Sequence, residues 1–357
     1  MANVLDLRRR IRSIKNMRQI TKAMKMVSAA RLRRAQERAL AARPYARMIT
    51  SVLESLARRV DAYDPETGNL RHPLFAKREE KRVLLVVVSG DRGFAGAFNS
   101  NIVKAALNFI NSNPGKEVDI EAVGRKGRDQ MRRRFPIASY TEQTTEDGGK
   151  VQVRGERKGP VEITGDHPGM LIKLETQRVF ELAENIIERF VHEEIDAAYI
   201  VYNEFKSVIS QRVVVERLLP SVKIGAREIA GAEEPTVAER ERAGEAAISA
   251  GVPLEPADTH EADEEAKKFG TANVDYIYEQ PAEELFNALM PRYIAAMLYH
   301  AFTESVAAEH AARMTAMDAA SNNASDMIDA YTLQMNRVRQ AAITKEIIEI
   351  VSGAAAV

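Results

Sequence analysis

RYIAAMLYHAFTESVAAEHAARMTAMDAASNNASDMIDAYTLQMNRVRQAAITKEIIEIVS, residues 292–352, runs for 61 residues without a glycine or a proline. It is rich in Ala, Met, Arg and Glu, residues with favourable helix propensity. Within it Met327, Tyr331, Met335, Val338 and Ala342 are spaced 4-4-3-4, which lays one apolar seam along a helix. The other end of the chain reads the same way. Residues 1–43 also lack both breakers; Val4, Leu7, Ile11, Ile14 and Met17 are spaced 3-4-3-3, and Ile20, Met24 and Val27 continue the stripe. Helices of these lengths would measure about 65 and about 90 Å. A compact domain of this size is not that wide, so at least one helix must project. Two projecting helices from opposite chain ends, each with a narrow seam, are expected to wrap round each other as an antiparallel coiled coil. A kinked helical bundle is the other reading, but a bundle needs more than two helices, and the middle of the chain has another pattern.

Residues 83–89 (VLLVVVS) read as a buried strand and residues 97–111 as a helix. A second strand is expected at 118–123 and a short basic helix at 125–134. Residues 141–166 are turn-rich: Asp147-Gly148-Gly149 is a hairpin signal beside the alternating Lys150-Val151-Gln152-Val153-Arg154. A helix over 171–192 leads to strands at 197–202 and 208–218. Such alternation implies a mostly parallel sheet with helices against it. Residues 221–273 then lose apolar periodicity and gain Glu, Ala, Gly and Pro; they read as a linker or insertion in which 237–250 could form a short helix. The fold class is therefore α/β with a long terminal coiled coil.

The 357 residues include no cysteine and no tryptophan, and 51 basic residues balance 51 acidic ones. With 45% hydrophobic and 29% charged residues, the chain reads as neither disordered nor membrane-spanning. Its longest aliphatic run, residues 83–88, is far short of the ~20 residues that cross a bilayer. Met1-Ala2-Asn3-Val4-Leu5-Asp6-Leu7 runs straight into Arg8-Arg9-Arg10 with no apolar signal region behind it, so the protein is expected to stay inside the cell. Lack of cysteine excludes a disulfide framework, a thiol nucleophile, an iron–sulfur cluster and a cysteine zinc site. The zero charge is a cancellation. Residues 1–60 carry a net +13, and residues 226–284 a net −11.

Candidate chemistry is sparse. Ser89-Gly90-Asp91-Arg92-Gly93-Phe94-Ala95-Gly96-Ala97-Phe98-Asn99 follows the first strand and opens a helix, where a phosphate fingerprint would sit. Its spacing is G-x-x-G-x-x-G, and no G-x-x-x-x-G-K-[ST] occurs anywhere. Two readings stand: a nucleotide-binding α/β enzyme using this turn, or a tight strand-to-helix turn with exposed charged side chains. The six histidines form no H-x-x-x-H pair, Glu184/Glu188 read as a solvated face, and no G-x-S-x-G is present. No catalytic, cofactor-binding or metal-ligating residue is expected. The basic first helix could grip nucleic acid, or its positive flanks could face acidic protein surfaces; with no aromatic before Tyr45, charge alone does not decide. The chain ends in small apolar residues with no charged side chain after Glu349, which suits insertion into a close-fitting apolar sleeve.

Four stretches together resemble one family: ITKAMKMVSAA (20–30), SGDRG (89–93), ARMTAMDAASNNA (312–324) and RQAAITKEIIEIVSGAAAV (339–357) are similar to the gamma subunit of F-type, proton-translocating ATP synthase. The resemblance covers nearly the whole chain in order; only 141–169 and 221–274 lie outside it in part or whole. It implies a coiled-coil helix over 1–60, a Rossmann-like α/β foot over 75–220 with an extra hairpin-like segment at 141–169, an acidic insertion over 221–274 and a second coiled-coil helix within 275–357. It implies a non-catalytic rotor shaft, without a cofactor, that turns inside a ring of three alpha and three beta subunits. Its foot would meet epsilon and the membrane c ring, with no nucleic acid bound and no direct insertion into the membrane, on the cytoplasmic face of a bacterial plasma membrane. By the same resemblance Arg339, Gln340, Thr344, Met24, Arg92 and Phe94 would contact beta subunits, Arg313 would transmit torque, and Tyr276 and Glu279 would face epsilon and the c ring. Some photosynthetic members carry a cysteine-pair redox switch in the central domain; this cysteine-free chain excludes it.

Overall fold

The computed structural model describes residues 4–59, 72–144, 150–221, 223–254 and 278–354. In chain order they form α1 (Val4–Arg59), β1 (Arg82–Val88), α2 (Phe98–Ser112), β2 (Glu117–Val123), α3 (Arg125–Met131), β3 (Tyr140–Thr144), β4 (Lys150–Arg154), β5 (Val161–His167), α4 (Thr176–Val191), β6 (Ala197–Phe205), β7 (Gln211–Leu219), β8 (Glu228–Glu233), α5 (Val237–Ala250) and α6 (Ala282–Ala354). The terminal helices α1 and α6 pair along their lengths, antiparallel: Lys25 meets Asp318, and seven residues towards the N-terminus Arg18 meets Ser325.

Both helices outrun the breaker-free stretches. They are 56 and 73 residues long, and Pro44 and Pro291 lie inside them. A proline removes one backbone hydrogen bond but does not end a helix whose flanks are held by packing. Here Ile49, Leu53, Leu56 and Ala57 follow Pro44 into the core, and Phe286, Met290 and Ile294 bracket Pro291 there.

The central sheet has the order β5-β2-β1-β6-β7-β8. From β5 to β6 the strands are parallel, and β7 and β8 return antiparallel. Strand β1 has six of its seven residues buried, the pattern of a central strand covered on both faces. On one face Val83, Leu85 and Val87 pack against Ile102, Val103 and Ala106 of α2 and Met131 of α3. On the other, Leu84, Val86 and Val88 share a core with α4, with the last turns of α1 and with the first turns of α6. The long helices are thus rooted in the domain as one of its layers.

Three expectations need correction. The turn-rich excursion is not all extra: β3 and β4 form a separate hairpin, but Val161–His167 is the parallel edge strand of the main sheet. The insertion is not simply a linker either. Its first part adds β8 to the sheet edge, and α5, which begins with a Thr236/Glu239 capping box, lies on both long helices. The seam on α1 also departs from the apolar stripe. Leu7 and Ile11 are buried, but Met17, Ile20 and Val27 are more than half exposed, and Thr21, Lys25, Ser28, Ala29 and Leu32 take the buried positions. On α6, Ala324 and Ile328 are buried where Met327 is not, and Ala342 is exposed. Small residues at the contact let two helices approach closely, and a hydrophobicity pattern does not see them.

Candidate functional site

Function centres on the helix pair, and its two ends differ. At the foot end the turn after β1 clasps α6. Gly90 N–H donates to Asn99 Oδ1 (2.8 Å), and its own carbonyl accepts from Lys126 N–H (3.0 Å). A Cβ at Gly90 would stand 2.9 Å from the Glu309 carboxylate, so the helix itself occupies the space that a phosphate would need at this turn. Ala95 and Phe98 pack on Ala308, and Gly96, at φ +55°, faces Ala316. The tight-turn reading of Gly90–Gly96 holds for the backbone, but of its two charged side chains only Arg92 is exposed; Asp91 is buried. Arg92 is exposed at its tip, and Phe94 is 72% exposed with its backbone at φ +63°, a conformation that costs a bulky residue energy.

Arg313 is buried under that turn. Its guanidinium pairs with Glu309 one helical turn back, donates to the Gly93 carbonyl (3.3 Å) and reaches His310 Nδ1 (3.2 Å). Burial, then the charges of Arg313, Arg31 and Arg92, push the His310 imidazole down to about 4. One level up, Lys25 Nζ and Asp318 Oδ1 form a buried ion pair at 2.8 Å between α1 and α6. Ser249 of α5 bonds both partners (3.1 and 3.2 Å), and the Gly251 carbonyl accepts from Arg33. The acidic segment therefore touches the basic helix, but through Ala243, Ala247 and Ala250 clustered with Ala29 and Leu32 more than through charge, and the same cluster takes in Ala311 of α6.

Below, α6 crosses the strands at Glu304. Burial raises its carboxyl to about 8; Arg227 opposes the rise, and Glu204 and Glu216 add to it. Arg227 bonds Glu216 (2.9 Å) and Glu204 (3.0 Å), while Glu304 Oε2 has no partner among the described residues.

The far end is bare. Carried on in the register of Lys25 and Arg18, Val4 would lie opposite Arg339, so residues 340–354 have no described residue of α1 opposite them. Arg339, Gln340 and Thr344 are exposed there, with Thr344 Oγ1 bonded only to the Gln340 carbonyl (3.0 Å). Ile347, Ile348, Ile350 and Val351 are all more than half exposed. Met24 is half-buried on α1, Glu279 is exposed just before α6, and Tyr276 lies outside the described residues. Sequence reading named residues at both ends of the helix pair but did not single out Lys25, Asp318, Glu309 or Ser249. The available signal was Asp318 itself, one acid in the alanine-rich stretch 312–324. Among the described residues no group of three or more His, Asp or Glu could hold a metal, and no helix is long and apolar enough to cross a membrane.

A long antiparallel helix pair rooted as one layer of a central α/β domain defines the class of fold. The family profile described as ATP synthase matches residues 3–357. The ATP synthase gamma chain of Solibacter usitatus is 43% identical over 100% of this chain and 99% of its own length. That of Trichlorobacter lovleyi is 38% identical over 99% and 98%. A solved structure of the Euglena gracilis mitochondrial ATP synthase, covering OSCP, F1 and the c ring, contains a chain that shares the fold, with a TM-score of 0.51 at 18% identity over 99% of this chain and 94% of that one. The chain belongs to the ATP synthase gamma-chain family.

Proposed function

We propose that the chain is the central rotor shaft of an F-type ATP synthase, coupling proton-driven turning of the c ring to ATP synthesis or hydrolysis on alpha and beta subunits. It contributes no catalytic group of its own. Full-length likeness to gamma chains carries this reading, and the exposed apolar tip supports it: such a surface suits a sleeve of three alpha and three beta subunits. A rotor needs a stiff rod, few strong bonds to its housing, and contacts that differ between states, since only differential binding biases an equilibrium.

On this reading residues 1–60 and 275–357 make the shaft, 75–220 the foot, and 221–274 an insertion. Arg339, Gln340 and Thr344 at the tip, Met24 on α1, and Arg92 and Phe94 on the turn contact beta subunits; their exposure, partial for Met24, leaves them free to do so. Arg313 transmits torque, and its grip on both Glu309 and the Gly93 carbonyl supports that role. Tyr276 and Glu279 face epsilon and the c ring. The complex sits on the cytoplasmic face of a bacterial plasma membrane with this chain peripheral to it. Co-expression with alpha and beta subunits tests the reading: the chain should copurify with three copies of each, and recovery of alpha and beta without it would overturn it.

A further inference from the structure

Beside the two long helices the insertion builds a third, and its course links the foot to the stalk. Strand β8 is bonded to β7 at the sheet edge, and three residues after it the Thr236/Glu239 capping box starts α5. Midway, Gly244 faces the connection between β6 and β7: a Cβ there would lie 3.5 Å from Ile209. Ala243, Ala247 and Ala250 then cluster with residues 29–35 of α1 and 307–314 of α6. The helix ends at Gly251, at φ +67°, whose carbonyl accepts from Arg33 of α1. It thus rises from the edge of the sheet, past both long helices, to the level of Lys25 and Asp318.

There it meets a bond whose strength depends on its surroundings. An ion pair open to water holds weakly, because solvent screens it, and a dry one holds firmly only when further hydrogen bonds satisfy its donors and acceptors. Lys25 and Asp318 are 7% and 8% exposed. Ser249 supplies the further bonds: its hydroxyl accepts from Lys25 Nζ (3.1 Å) and donates to Asp318 Oδ1 (3.2 Å). One side chain of α5 therefore joins α1 and α6 at once. The neighbouring seam does not do this. Thr21 and Ser28 are buried there, but each bonds a carbonyl of its own helix, and Ala29 offers a contact without direction. Such a seam opposes separation more than sliding. The clasp below grips α6 through Arg313 and the Gly93 carbonyl, whereas α5 grips both helices.

We propose that α5 is a brace, with Ser249 as its positioning residue: it completes the Lys25–Asp318 pair and makes α1 and α6 move as one body. Its use in passing on a turning force rests on the rotor reading above; the brace itself is read on the full chain alone. Hydrogen exchange should show residues 243–250 exchanging about tenfold faster in Ser249→Ala. Ser249→Thr keeps the hydroxyl at an exposed position and should stay within about twofold of the parent, as should Glu245→Ala, also exposed on α5. In a Lys25→Met/Asp318→Leu background Ser249→Ala should add less than about twofold, because the hydroxyl has lost both partners. The chain has no cysteine, so spin labels on Ile20→Cys and Met327→Cys, both exposed, report the distance from α1 to α6 cleanly. That distance distribution should broaden in Ala247→Asp, which puts a carboxylate into a fully buried position of α5 and lifts the helix off. Unchanged exchange in Ser249→Ala, equal acceleration in Glu245→Ala, a full effect in the apolar background, or an unbroadened distance with α5 lifted would each overturn the brace. In the assembled complex Ser249→Ala should lower ATP-driven proton pumping against a gradient, leave hydrolysis with uncoupler unchanged, and be rescued by Ser249→Thr. Parental pumping beside faster exchange would overturn the part of α5 in turning. Failure of the parent chain to assemble with alpha and beta would fall on the rotor reading instead, with the brace already decided by exchange.

Discussion

Arg313 and Arg339 stand on the same helix in opposite circumstances. Arg313 is buried, paired with Glu309 and bonded to the backbone of the foot; Arg339 is exposed, level with the first described residue of α1. The same contrast holds for their neighbours. Around residues 309–318, charged groups are held by buried partners on α1, α5 and α6 itself, whereas residues 339–354 offer isoleucine and valine to the surroundings. A part that must pass on a twisting force needs bonds that resist shear, and charge-assisted hydrogen bonds in a dry setting supply them. A part that must slide needs contacts without direction, and apolar side chains supply those.

The contrast breaks first at Asp318. Asp318→Ala leaves Lys25 buried without its counter-charge, and urea unfolding should report a loss of about 3 kcal/mol. A Lys25→Met/Asp318→Leu double variant should recover most of it, because an apolar pair fills the same seam without stranding a charge. Gly124 offers the next test. It sits at φ +86°, and a Cβ there would stand 2.0 Å from the Ser89 carbonyl oxygen, so Gly124→Ala should cost about 2–3 kcal/mol and loosen the turn that clasps α6.

Glu304 sharpens the comparison through pH. Its folded-state value near 8 lies above the ordinary 4.5, so the folded chain keeps a proton that the unfolded chain gives up. Its stabilising effect is therefore complete below about pH 4.5 and is lost progressively as pH rises to 8. Glu304→Gln should flatten that decline and leave the variant more stable than the parent at pH 8.5. Parallel pH curves would show that the group is ionised in the folded chain. At the tip the expected change in stability is the smallest. Arg339→Ala/Gln340→Ala should alter unfolding by less than about 0.5 kcal/mol, yet lower coupled ATP turnover in the assembled complex. Unchanged turnover would remove both residues from the mechanism.

Much of this was legible in the sequence, for identifiable reasons. The absence of breakers announced both long helices, the run at 83–88 announced the central strand, and the alternation after it announced the α/β domain. Where reading failed, burial was carried by residues without a hydrophobic signature. Thr21, Lys25 and Ser28 fill the seam on α1, and Ala243 and Ala247 dock α5, because close approach selects for size. Strand β8, Glu-Ile-Ala-Gly-Ala-Glu, is hidden for a related reason: all but two of its residues are exposed, so it has no apolar face to announce it. At the candidate site, exposed residues could be named from the sequence, whereas the Lys25–Asp318–Ser249 contacts and the Arg313 bond to Gly93 join residues from distant parts of the chain.

The overhang of α6 has a geometric consequence. Two packed helices share an axis that lies between them, on the order of 4–5 Å from the centre line of each. Where no described residue of α1 stands opposite, α6 keeps its place to one side of that axis. A rod that spins about its middle then carries an eccentric end, and that end sweeps a small circle, pressing on one side of any collar at a time. Three-fold surroundings would meet it as a cam, never in three equal ways, without any change in its own shape.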